Sequence, residues 1–318
     1  MDAPLPLAPP HGVAFGPETT DALGTVFRPF RFFSADGLLL AGRDYAPLEP
    51  TDRRPVVCLP GLTRNSRDFE PVGGRLVGGS ATTPPRRVVT FEFRGRGASQ
   101  YDPDPTHYNI VQELADTRLG LSLLGIDKIT AFGTSRGGIV TMIAGAVAPG
   151  LVEAAIINDI GAEVDLAGLM RIKGYVGRAI PETFSWDDVV AAMKLANRGE
   201  FPALDDAGWH RFARRLHRDV GGRPALDYDP RLAETLAAIT PETPMPDLWP
   251  AFDTLADAPV LLLRGGLSDL LSAETVAKMA ERHPGLEVVE VADQGHAPLL
   301  EDDPTLDAIV DFLDRVGA

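Results

Sequence analysis

Ser135 stands between two glycines, in Gly133-Thr134-Ser135-Arg136-Gly137. The short β-rich run Lys128-Ile129-Thr130 precedes it, and behind it Ile139, Met142, Ile143 and Ala146 recur at i, i+3, i+4 and i+7 of a helix. A Gly-x-Ser-x-Gly between strand and helix is the pattern of a nucleophile on a tight turn. The flanking glycines leave room for the turn, the hydroxyl is lifted clear of the sheet, and the next helix aims its first amides at developing negative charge. A serine hydroxyl attacks only when a base takes its proton and an acid orients that base. Of the six histidines, His296 is the candidate base, because it follows the strand-like run Leu286 to Val291 on a Gly-containing loop. Asp269 is the candidate acid, just past the apolar run Val260-Leu261-Leu262-Leu263, which reads as a buried parallel strand. Asp159 is the rival acid, since it too follows a strand, Ala155-Ile156-Ile157-Asn158.

Other combinations carry less chemistry. His210 and His217 lie seven apart on one expected helix, read as facing solvent, with no carboxylate or cysteine at metal-ligand spacing beside them. The glycines at Gly73-Gly74 and Gly78-Gly79 are not followed by Gly-Lys-Ser/Thr, and Gly95-Arg96-Gly97 does not extend to a dinucleotide fingerprint. No cofactor and no metal is therefore expected. Cys58 is the single cysteine, which excludes an intrachain disulfide, and it falls in an expected central strand as a buried, inert thiol.

With the order Ser135, Asp269, His296, the chain resembles the α/β-hydrolase superfamily over nearly its whole length. Two more segments carry the resemblance. Val56-Val57-Cys58-Leu59-Pro60-Gly61-Leu62 is similar to the family's strand ending in His-Gly-aromatic, with Pro60 and Leu62 replacing the histidine and the aromatic residue. Phe91-Glu92-Phe93-Arg94-Gly95-Arg96-Gly97-Ala98-Ser99 is similar to the Asp-x-Arg-Gly-x-Gly-x-Ser turn, with Glu92 in place of the aspartate. The resemblance implies an oxyanion hole made of the backbone amides of Leu62 and Arg136, with the Arg136 guanidinium turned away from the cavity. It also implies a serine hydrolase acting through an acyl-enzyme on a carboxylic ester or lactone of a small to medium, largely apolar substrate. Two alternatives stay open: a carbon–carbon bond hydrolase of ring-cleavage diketones, and a non-catalytic binding protein of the same fold.

Elements must hold these residues in place. Arg28 to Phe33 and Leu38 to Tyr45 flank Ala35-Asp36-Gly37 as an antiparallel hairpin, and strands then alternate with helical runs. The expected fold class is α/β, a mostly parallel sheet of about eight strands flanked by helices. From 161 to 248 no apolar strand occurs, and helical runs at Leu166 to Val176, Asp187 to Asn197 and Ala207 to Arg218 suggest an all-helical insertion after the sixth strand, which resembles the family's cap domain. The expected division is therefore an N-terminal arm, 1–25, a core built of 26–160 and 249–318, and a cap, 161–248. At 318 residues and 44% hydrophobic, the chain can bury a large core.

A net charge of −15 argues against nucleic acid or anionic lipid as a partner, because phosphate recognition needs clustered positive charge. The opening residues show no positive n-region or apolar h-region, and the longest uncharged stretch is below transmembrane length. The expectation is a cytoplasmic protein that binds a small-molecule substrate and no membrane; the oligomeric state is left open.

Overall fold

The computed structural model describes residues 12–79 and 83–317. In chain order the elements are β1 (Val13–Phe15), β2 (Thr19–Thr20), β3 (Val26–Phe33), β4 (Leu39–Tyr45), β5 (Val56–Leu59), α1 (Glu70–Gly78), β6 (Val88–Glu92), α2 (Ile110–Leu123), β7 (Ile129–Thr134), α3 (Arg136–Val147) and β8 (Val152–Asn158). There follow α4 (Leu166–Tyr175), α5 (Trp186–Ala196), α6 (Asp206–Leu216), β9 (His217–Val220), β10 (Arg223–Leu226) and α7 (Trp249–Asp253). The chain closes with β11 (Val260–Gly265), α8 (Ala273–Arg282), β12 (Leu286–Val291) and α9 (Asp303–Arg315).

The main sheet runs β1-β3-β4-β6-β5-β7-β8-β11-β12, with β2 also paired to β3. Pairings from β1 to β6 are antiparallel, and from β6 through β12 they are parallel. Every residue of β5, β6 and β7 is buried, as both faces of a parallel sheet must be when helices cover them. Side-chain alternation splits that burial into two cores. Val57, Leu59, Val89 and Ala131 join one cluster, while Val56, Cys58, Val88 and Phe132 join the other with Phe312 and Leu313 of α9.

β3 to β8 with β11 and β12 make the eight expected strands, and the insertion follows the sixth of them. The expected arm differs. Its first eleven residues, His11 included, lie outside the described residues, but β1 and β2 fall within 12–25 and extend the sheet edge. They are too short for alternation to announce them.

The 161–248 segment is not all-helical. α6 ends at Leu216, and His217, expected on that helix, opens the β9–β10 hairpin. Gly221 and Gly222, with φ of 61° and 83°, form its two-residue turn. β9 is almost wholly exposed, so it has no apolar run to betray it. Between the helices Val189, Met193, Phe201, Trp209 and Phe212 make a separate small core, which also takes in Leu299 from the loop after His296.

Candidate active site

The strand β7 ends at Thr134, and α3 begins at Arg136. Ser135 joins them with φ 51° and ψ −114°, a left-handed conformation that costs a non-glycine residue about 1–3 kcal/mol. The turn closes so tightly that a Cβ on Gly133 would meet the Gly137 carbonyl carbon at 2.3 Å, and one on Gly137 would meet the Leu59 oxygen at 2.0 Å. The glycines are thus fixed by close backbone approach. Gly61 sits directly opposite, where an added Cβ would lie 3.8 Å from that of Ser135. This brings the end of β5, and with it Leu62, against the Ser135 turn.

His296 arrives on the loop after β12. Its Nε2 lies 2.9 Å from Ser135 Oγ, and its Nδ1 lies 2.9 Å from Asp159 Oδ2. The other Asp159 oxygen accepts the Gly265 amide at 2.8 Å, so the fully buried carboxylate has a donor on each oxygen. That arrangement can take the serine proton at Nε2 while holding the ring in the tautomer protonated at Nδ1.

Asp269, the expected acid, is engaged elsewhere. Its carboxylate takes Nε and Nη2 of Arg171 on α4 at 2.6 and 2.9 Å. Burial pushes that carboxyl up, but the hydrogen bonds and charge of Arg171 outweigh it and hold it below the usual range. The geometry therefore gives the place beside His296 to Asp159. The reason lies in sheet order: β8 is directly beside β7, the strand that leads to Ser135, and β11 is one strand farther out. Arg171 also reaches Glu200 at 3.0 Å, and Glu200 packs on Gly295, next to His296. Burial raises the Glu200 carboxyl, with Arg171 opposing. Neither Arg171 nor Glu200 was singled out in the sequence, since nothing in a helical Arg or a loop Glu signals its partner.

A cavity of about 60 Å³ opens on Ser135 and His296, walled by Leu62 and Arg64 below and by Ile172 and Tyr175 of α4 above. Its polar wall is self-neutralised, because Arg64 makes a bidentate pair with Asp68 at 2.6 and 2.7 Å. The Arg136 guanidinium points away into the protein, toward Glu113 and the Tyr108 carbonyl. His210 is exposed, and half-buried His217 sets Nδ1 on the Ala213 carbonyl; neither lines the cavity. Outside the cavity lining, Asp36, Asp102 and His107 converge, but the guanidinium of Arg94 already lies on both carboxylates.

Residues 56–308 match the model of the alpha/beta hydrolase family. The chain belongs to that family. It is 33% identical over 261 residues, 80% of its length, to a 3-hydroxybutyrate-oligomer hydrolase of Cupriavidus necator, 86% of which is covered. It is also 28% identical over 80% of its length to a 2-(acetamidomethylene)succinate hydrolase of Mesorhizobium japonicum, 86% of which is covered. Among solved structures, an alpha/beta hydrolase from Novosphingobium aromaticivorans superposes with a TM-score of 0.82 at 42% identity, covering 91% of this chain and 98% of that one. The family match spans the strands that carry Ser135, Asp159 and His296, and it stops short of β1 to β4. No helix among the described residues is long and apolar enough to cross a membrane.

Proposed function

We propose that this alpha/beta hydrolase cleaves carboxylic esters through an acyl-enzyme on Ser135. The observation that carries the reading is the unbroken line Ser135 Oγ, His296 Nε2, His296 Nδ1, Asp159 Oδ2, with 2.9 Å at both hydrogen bonds. In this reading Ser135 Oγ bonds to the acyl carbon as its proton passes to His296. Asp159 stabilises the imidazolium, and the amides of Leu62 and Arg136 receive the oxyanion. The intermediate collapses by expelling the alcohol, which leaves with the proton from His296. Water then attacks the acyl-enzyme with His296 as base, freeing the acid and restoring the serine. In this reading the 161–248 segment serves as the cap, with Ile172 and Tyr175 lining the cavity from its side.

The small cavity and its apolar wall favour a short acyl group. The relative named for 3-hydroxybutyrate oligomers makes short hydroxyacyl esters the first substrates to try. Purified protein is tested on aryl esters, lactones, linear 3-hydroxybutyrate dimers and trimers, and vinylogous diketones. Short-chain esters are expected to turn over, and Ser135→Ala to lower the rate by at least about 10⁴-fold. Turnover confined to the diketones would overturn the proposal in favour of carbon–carbon cleavage.

A further inference from the structure

Behind the proposed oxyanion hole runs a buried line of charge. Arg96, on the loop after β6, has no solvent exposure and donates its Nε–H to the Leu62 carbonyl at 2.8 Å. Its Nη1 donates to the Arg94 carbonyl at 2.6 Å and lies 2.9 Å from Glu113 Oε1. Glu113, on α2 and equally buried, accepts Arg136 Nε on its other oxygen at 2.6 Å. Arg136 Nη2 then donates to the Tyr108 carbonyl at 3.0 Å. One carboxylate therefore joins the guanidinium that holds Leu62 to the guanidinium of the residue after the nucleophile.

Packing alone does not call for this arrangement. The rings of Phe93 and Tyr108 flank Arg96 at 5.8 and 5.7 Å, and apolar side chains could fill the space without desolvating three charges. Burial pulls the Arg96 guanidinium down to about 10, with Glu113 opposing, so it remains a cation at neutral pH. Oxyanion donors lower a barrier only when they are fixed before charge develops, and here one sits on the loop after β5 and the other at the start of α3, far apart in sequence.

We propose that Glu113, with Arg96 and Arg136, is a positioning clamp that sets the two oxyanion-hole residues, Leu62 and Arg136, at a fixed separation. Arg96 holds the carbonyl side of Leu62, Arg136 anchors the first residue of α3, and Glu113 ties them together. The inference rests on the acyl-transfer reading above.

The test uses the full chain with p-nitrophenyl butyrate as substrate and an aryl trifluoromethyl ketone as inhibitor, whose adduct carries its oxyanion in the hole. Glu113→Gln is expected to lower kcat about 30-fold, part of the roughly 10²–10³ that one lost donor costs, with KM changed less than about threefold. Affinity for the ketone should fall by the same factor as kcat, a coupling that a purely structural role would not produce. Arg136→Met, at a partly exposed site, leaves the Arg96–Glu113 pair whole and should give a loss of the same kind, about tenfold. It decides the matter if Glu113→Gln does not fold. Unchanged kcat and ketone affinity in a folded variant would overturn the clamp. Wild-type turnover that Ser135→Ala abolishes keeps the acyl-transfer reading standing in that event; a wild-type protein without turnover would remove both.

Discussion

Asp159 and Asp269 each lie past the end of a parallel strand, β8 and β11, and the chain sequence gives no means of telling which of the two reaches His296. The decision rests on which strand lies beside β7 and on the φ of 58° at Asp159, which aims its carboxylate across the Gly265 amide toward the imidazole. Asp159→Asn should therefore lower kcat by about 10⁴-fold, because an amide facing Nδ1 favours the wrong tautomer. Asp269→Asn should stay within about tenfold of wild type, since it weakens only the Arg171 pair. Steady-state kinetics of the two variants checks this, and the reverse order of losses would return the acid role to Asp269. The placement of Ser135 and His296 was legible because each stands in a local context, a glycine-flanked turn and a post-strand glycine loop. The carboxylate beside His296 was not, since its place depends on sheet order.

At the element scale, the turn at Ser135 is set by backbone contact. Gly137→Ala would drive a methyl into the Leu59 carbonyl and should destabilise the protein by about 3 kcal/mol, read as a fall in the urea midpoint. Gly174 on α4 has open space around it, and Gly174→Ala should be neutral or stabilising, within about 1 kcal/mol. Equal midpoints for the two variants would contradict the close-approach argument. The core strands β5 to β8 and β11 could be read from their apolar runs because both faces are covered. The β9–β10 hairpin could not, because β9 is almost wholly exposed and carries no apolar run; its one mark was the Gly221-Gly222 pair.

For the whole molecule, polar latches join the 161–248 segment to the core. Arg171 holds Asp269, Arg67 and Asn65 hold Asp227, and Tyr108 donates to Asp229. Since the Asp269 carboxyl is held below its ordinary value, its pair with Arg171 contributes stability above the unfolded value of about 3.9 and loses it as pH falls through the lower folded one. Arg171→Ala should accordingly speed hydrogen exchange in α4 at pH 7, with the difference from wild type vanishing at strongly acidic pH. A difference independent of pH would point to lost packing instead. The latches were not legible, because each joins residues brought together only by the closed fold.

Peptide mass spectrometry after exposure to a fluorophosphonate tests the proposed chemistry most directly. One adduct is expected, on Ser135, and it should disappear in His296→Ala. An unmodified protein, or an adduct on another residue, would contradict Ser135 as the nucleophile.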